Sequence, residues 1–212
     1  MCSGRVDLEF ILRAFSKGQD GVFIGGCKLD ECNYVTHGNY DAYANTFLAK
    51  KIMEHVGLNP KRLRIEFMSG ADGNLLADYT DEFAKEIKEL GPLGQDESMT
   101  KDELNLKLDA ARKLVPYMRL VERERLRVPE KSKQAYADFF ESKDTSALFD
   151  IIFSDKLAVS QIMLLLKEKP LPTSDIAKKL GLNPSDVSKH MMSSSRHGMV
   201  KYDTASKCYA LA

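Results

Sequence analysis

Apolar residues recur at helical spacing almost from the first residue. Leu8, Ile11, Leu12 and Phe15 follow Asp7, a good N-cap, and Gly18 closes the stretch, so the pattern predicts a helix. Val22-Phe23-Ile24-Gly25 reads as a short buried strand, and residues 26–39 as a loop rich in polar and glycine positions. Ala44, Leu48, Ile52 and Val56 mark a second helix, stopped by Gly57. Leu63, Ile65 and Phe67 alternate with Arg64 and Glu66, as in a strand. After a turn at residues 69–73, Leu76, Tyr79, Phe83, Ile87 and Leu90 mark a third helix.

Strands separated by helices predict a small parallel βαβ sheet, hence an α/β fold class. Two strands are few for an open sheet. The expectation is that another polypeptide completes it or that the natural domain starts upstream of Met1.

The pattern then changes. Gly91-Pro92-Leu93-Gly94 and the acidic stretch to Thr100 read as a linker. Thr100 and Glu103 form a capping box for a long helix carrying Leu104, Leu108, Ala111 and Val115, kinked at Pro116 and continuing to about Val128. Such a charge-rich helix is a solvated spacer packing one face, or a dimerisation arm. Ala158, Ile162 and Leu165 belong to an apolar helix. A short helix ending at Gly181 comes next, then one opened by Asn183 and Pro184, then a hairpin from Val200 to Leu211 turning at residues 204–206. Helix, helix-turn-helix, hairpin is the winged-helix order. The expected division is 1–93 for the βαβ domain, 94–145 for the helical linker and 146–212 for the winged helix-turn-helix domain.

Charge adds a mild asymmetry. Residues 155–212 hold nine Lys and Arg against five Asp and Glu, a net of +4 in a chain whose formal charge is zero. That surface is compatible with nucleic acid without demonstrating it. No apolar run approaches the roughly 18–20 residues of a membrane span, and the first residues lack a signal-peptide core. The expectation is a cytoplasmic protein with no membrane partner, whose four cysteines bind metal, do redox chemistry or pack rather than form disulfides.

Cys27 and Cys32, with four residues between them in a loop after a strand, can grip one iron of a 2Fe–2S cluster, with Gly25, Gly26 and Gly38 letting backbone N–H groups approach the sulfurs. Cys2, Cys27, Cys32 and His37 can equally form a Cys₃His zinc site. Spacing alone leaves iron–sulfur, zinc and ordinary reduced cysteines open. Arg5 and Lys28 flank the cysteine loops, where a cation raises a cluster's potential or contacts a partner. Cys208, on the hairpin, reads as packing. No acid–base pair, nucleophile constellation or nucleotide loop is evident.

Met1-Cys2-Ser3-Gly4-Arg5-Val6-Asp7, then Gly26-Cys27-x4-Cys32-Asn33-Tyr34, Gly38-Asn39 and the run to Leu90-Gly91-Pro92, resemble the delta subunit of methyl-viologen-reducing hydrogenase over residues 1–93. The resemblance implies an iron–sulfur domain with a 2Fe–2S cluster on Cys2, Cys27 and Cys32. It implies an electron-transfer subunit between a hydrogenase or formate dehydrogenase and the flavin-bearing subunit of heterodisulfide reductase. The chain departs from that family at Lys28 and Asn33, in a longer 34–38 stretch, and in lacking the upstream half with its further cysteines. A cluster's fourth ligand then falls to a missing segment, a partner chain or His37.

Residues 180–200 resemble the recognition element of ArsR- and MarR-type winged-helix regulators. Val187, Met191 and Ser194 are expected to face the core, and Ser185, Ser188, Lys189 and His190 to face outward where such helices enter the major groove. Wing residues Lys201 and Lys207 can reach phosphates. Such domains also dock proteins, which leaves a redox-responsive transcription regulator and a zinc-stabilised interaction protein as alternatives to electron transfer.

Overall fold

The computed structural model describes residues 2–34 and 38–212. The chain divides into two compact units, Met1–Phe149 and Asp150–Ala212, and the boundary falls inside one long helix.

In the first unit a short 3-10 turn, Ser3–Arg5, leads into α1 (Leu8–Ser16). Asp7 caps α1 by accepting from the Glu9 N–H at 2.8 Å, and Leu8, Ile11, Leu12 and Phe15 are buried, as their spacing predicted. β1 (Val22–Gly26) pairs in parallel with β2 (Leu63–Phe67), Val22 opposite Leu63 through Gly26 opposite Phe67. These are the two strands of the expected βαβ unit. The crossover helix α2 (Asn39–Val56) begins five residues before its first expected apolar position. It ends at Gly57, whose φ of +87° suits glycine. α2 is the centre of the unit: Ala42, Leu48, Ala49, Ile52, Met53 and Val56 are buried.

α3 (Gly73–Leu90) covers less than its pattern implied. Only Phe83 is buried, ring to ring with Phe23 at 5.8 Å, while Leu76 is 44% exposed.

The expected long kinked helix is two helices, α4 (Lys101–Lys113) and α5 (Val115–Arg125), and the second stops before Val128. Pro116 is the cause. It lacks an N–H and its ring opposes the carbonyl four residues back, so the helix restarts with the proline in the first turn of α5. The Thr100–Glu103 capping box is present. One face of this stretch packs, as expected. Leu104, Leu108, Ala111, Val115 and Met118 are buried, Arg112 pairs with Glu9 at 2.7 Å, and Arg119 Nε donates to Asp7 at 2.7 Å. α6 (Lys133–Glu141), which the sequence pattern did not suggest, is capped by Ser132. It sets Tyr136 at a tilt against Tyr40 and stacks Phe140 on Phe47, each at 5.1 Å.

The return from α3 is fixed by a buried ion pair. Arg62 is 0% exposed and donates from Nε to Glu97 at 2.6 Å. Its other nitrogens reach the carbonyls of Asp20, Leu90, Gly91 and Pro92. Glu97 also accepts from the N–H groups of Asn59 and Gly94. Burial pulls its carboxyl up, but hydrogen bonds from Arg62 and the Asn59 N–H outweigh that and hold it below the usual range.

α7 (Lys143–Glu168) runs into the second unit. There α8 (Thr173–Leu180) ends at Gly181 in the left-handed region, and α9 (Pro184–Arg196) follows with Pro184 in its first turn. Asn183 holds the N-cap position, but its side chain contacts Asp186 at 3.3 Å and caps nothing. β3 (Val200–Asp203) and β4 (Cys208–Leu211) form an antiparallel hairpin, and Leu171 bridges to Tyr209 as a third edge. Ile162, Leu165, Ile176, Val187, Met191 and Val200 make the core. This is a helix-turn-helix followed by a wing. Among the described residues no helix is long and apolar enough to cross a membrane.

Candidate functional site

Three separate pieces of the first unit deliver a cysteine to one place. Cys2 sits at the start of the 3-10 turn, where its sulfur accepts from the Gly4 N–H at 3.4 Å. Cys27 follows β1 directly, and Cys32 follows the turn Leu29–Glu31. Asn39, at the amino end of α2, contacts the carbonyls of Cys27 and Lys28 and the sulfur of Cys32, which places the two cysteines beside one helix end.

The thiols feel one another. Cys32 interacts with both Cys27 and Cys2, and Cys27 with both Cys32 and Cys2. Their environments differ in sign. The backbone N–H of Asn39, then that of Tyr34, donate to the Cys32 sulfur and hold that thiol below its ordinary range. Burial, then the Cys32 thiol, push Cys27 up. Of this pair, Cys32 is the thiol shifted toward thiolate, the form that binds metal. His37, named as a further ligand, lies outside the described residues. Among the described residues no three His, Cys, Asp or Glu side chains are arranged to hold a single metal ion.

The surroundings fit a bulky sulfur-rich group. Gly4 and Gly38 touch: a Cβ on Gly4 would fall 2.5 Å from the Gly38 carbonyl oxygen. A Cβ on Gly38 would fall 2.5 Å from the Cys32 sulfur. The glycines therefore let main chain close directly on the thiols. Ser3 Oγ is buried and has no hydrogen-bond partner among the described residues. A buried hydroxyl without a partner is costly, and it lies in the turn that carries Cys2, beside the glycine preceding Cys27. An acceptor brought by a bound group would satisfy it.

Sequence reasoning named the three cysteines but gave no role to Ser3 or Asn39. Both stand inside the quoted motifs, beside Cys2 and Gly38, and that adjacency was the available signal. Of the flanking cations, Lys28 is engaged by Asp72 at 3.2 Å, and Arg5 is exposed. Cys208 is half-buried and its thiol faces the Ser206 carbonyl at 3.3 Å.

In the second unit Val187, Met191 and Ser194 are buried, as their spacing predicted. Ser185, Lys189, Lys201 and Lys207 are exposed, and Lys189 pairs loosely with Asp186 at 3.3 Å. Ser188 turns its hydroxyl back to the Pro184 carbonyl at 2.8 Å. His190 differs from the expectation of an outward position. Its side chain is 16% exposed and lies 3.9 Å from Asp155.

Residues 158–192 match the arsR family of bacterial regulatory proteins, and residues 1–91 match the methyl-viologen-reducing hydrogenase, delta subunit. Over 96 residues the chain is 45% identical to a subunit of the ferredoxin/F420H2-dependent CoB-CoM heterodisulfide reductase of Methanosarcina acetivorans, which takes in 45% of this chain and 12% of that protein. It is 44% identical over 91 residues to the iron-sulfur subunit of the F420-non-reducing hydrogenase of Archaeoglobus profundus, 43% of this chain and 66% of that one. To the iron-sulfur subunit of the vhu F420-non-reducing hydrogenase of Methanopyrus kandleri it is 41% identical over 92 residues, 43% of this chain and 69% of the relative. With two thirds of such a protein matched at this identity, the chain belongs, through residues 1–91, to the methyl-viologen-reducing hydrogenase delta-subunit family.

Proposed function

We propose that the first unit holds a 2Fe–2S cluster on Cys2, Cys27 and Cys32. Through it the protein passes single electrons between a hydrogenase or formate dehydrogenase and the flavin-bearing subunit of a heterodisulfide reductase. The observation that carries this reading is the gathering of three thiols from distant points of the chain, one of them favoured as thiolate, against glycine backbone and an unpartnered buried hydroxyl. A bound cluster supplies a one-electron carrier. The protein's own part is to hold the sulfurs and direct the N–H groups of Gly4, Tyr34 and Asn39 at them. The fourth ligand falls to His37 or to a residue outside this chain. The names of the relatives, iron–sulfur subunits of hydrogenases and a heterodisulfide reductase component, support the partner class. Residues 1–93 form the cluster domain in this reading, 94–145 its helical connection and 146–212 the winged helix. Free cysteines throughout suit the cytoplasm.

The test is a stopped-flow transfer. Reduced, iron-loaded chain mixed anaerobically with the flavin-bearing subunit should bleach the flavin while the cluster bands return. Flavin that stays oxidised beside a reduced cluster refutes the role.

The arsR match and the exposed Lys189, Lys201 and Lys207 favour a second reading, in which the winged helix binds DNA and the thiol site tunes that binding. Anisotropy against duplex DNA over a salt series separates the two readings, since phosphate contacts weaken steeply with salt.

A further inference from the structure

We propose that Asn39 is the positioning residue of the Cys27–Cys32 thiol pair, tying both sulfurs to the amino end of α2 and favouring the more negative, reduced state of the group they hold. This rests on the cluster reading above and deepens it.

Asn39 is 1% exposed, a burial that a primary amide tolerates only when its polar atoms are engaged. Its Nδ2 donates to the carbonyl oxygens of Cys27 at 2.9 Å and of Lys28 at 2.7 Å, and lies 3.7 Å from the Cys27 sulfur. Its backbone N–H donates to the Cys32 sulfur. One residue therefore reaches the first thiol through its side chain and the second through its main chain. Two carbonyls aimed at one amide fix the peptide planes on either side of Lys28, and with them the direction in which Cys27 leaves the backbone.

The place of Asn39 in the helix explains its second contact. It is the first residue of an 18-residue helix, so its N–H has no acceptor within the helix. A sulfur placed there takes that donor and meets the positive end of the helix dipole. Donors at sulfur stabilise added negative charge, so each favours the reduced over the oxidised state. Both amide hydrogens go to the carbonyls that set Cys27, and the main-chain N–H goes to the Cys32 sulfur. Control of both thiols from one buried residue is what assigns Asn39 to the site.

Asn39→Asp and Asn39→Ala in the full chain, reconstituted anaerobically beside the unaltered protein, test this. Asn39→Asp keeps the shape, removes the donors and adds an acceptor; Asn39→Ala removes the side-chain contacts and leaves the N–H. Both should keep the helix content and cooperative melting of the unaltered chain. The midpoint potential should fall in both, further in Asn39→Asp. The reduced-to-oxidised ratio at a fixed poise should drop by up to about tenfold, ~59 mV for one electron, with the sulfur-to-iron charge-transfer bands displaced. Folded variants that hold iron at an unchanged potential overturn the assignment. So does loss of helix content and cooperative melting in both, which would make Asn39 a residue of the fold alone. No iron in the unaltered chain overturns the cluster reading and this one together, whereas iron in the unaltered chain with unmoved potentials removes Asn39 alone.

Discussion

Adding one methyl group at Gly38 should empty the thiol site. The backbone φ there is −134°, outside the left-handed region, and it is space that demands glycine. The new Cβ would stand 2.5 Å from the Cys32 sulfur and 2.5 Å from the Tyr34 carbonyl oxygen, where ordinary contact begins at 3.4 Å. Something must therefore move by about 1 Å, and metal–ligand distances tolerate only about 0.2 Å. Relief through the sulfur misplaces a ligand; relief through the backbone shifts the peptide that carries the Asn39 donor. The metal-free chain should also lose about 1–3 kcal/mol from overpacking. A graded control lies in the same region. A Cβ on Gly25 meets nothing nearer than 4.0 Å, so Gly25→Ala should change stability by no more than ~0.5 kcal/mol and load iron normally. Gly26→Ala, at 3.0 Å from the Phe67 ring and 3.1 Å from Ser3 Oγ, should fall between. Iron and sulfide per chain after anaerobic reconstitution, with urea melts of the metal-free proteins, give the order Gly25, Gly26, Gly38. Equal loading in the Gly38 and Gly25 variants would refute the reasoning.

Glu97→Gln leaves Arg62 charged and uncompensated at 0% exposure, and urea denaturation should show a loss of about 3–5 kcal/mol. Because the folded Glu97 carboxyl lies below its ordinary value, its contribution is complete above the unfolded pKa and disappears as pH falls through the folded one; an acid titration of stability should flatten in the variant over that range. Phe140→Ala should cost about 3–5 kcal/mol and lower the melt of the unit that carries the cysteines, since Phe140 is 0% exposed against Phe47 of α2; a melt of that unit left unchanged would detach α6 from it. If the second unit binds duplex DNA, Lys189→Ala and Lys201→Ala should each weaken binding on every sequence and reduce the salt slope by about 1 in fluorescence anisotropy, and unchanged slopes would exclude both from phosphate contact.

The elements written most clearly in the sequence are those where cap, period and stop agree. In α1, Asp7 opens the helix, four apolar residues share one face, and Gly18 follows its end. α8 and α9 lack side-chain caps but are marked by Gly181 between them and Pro184 in the first turn of the second. Three cysteines in two separated motifs marked the candidate site. The rest depended on tertiary placement. Pro116 announced a disturbance, but whether a proline kinks a helix or ends it depends on what the flanking turns pack against. α6 has only nine residues, and its aromatic face has meaning only opposite Tyr40 and Phe47. The stripe on α3 was legible, yet it lies largely open in this fold. Asn39 looked like a loop residue because nothing local says that a first-turn amide will face two carbonyls eleven and twelve residues back.

Iron and acid-labile sulfide measured on the full chain, prepared and reconstituted without oxygen, test the cysteine assignment most directly, beside a variant with Cys2, Cys27 and Cys32 all replaced by serine. About two irons and two sulfides per unaltered chain, with neither retained by the triple variant, is the predicted result. Zinc in place of iron without sulfide, or iron held equally by the triple variant, would contradict it.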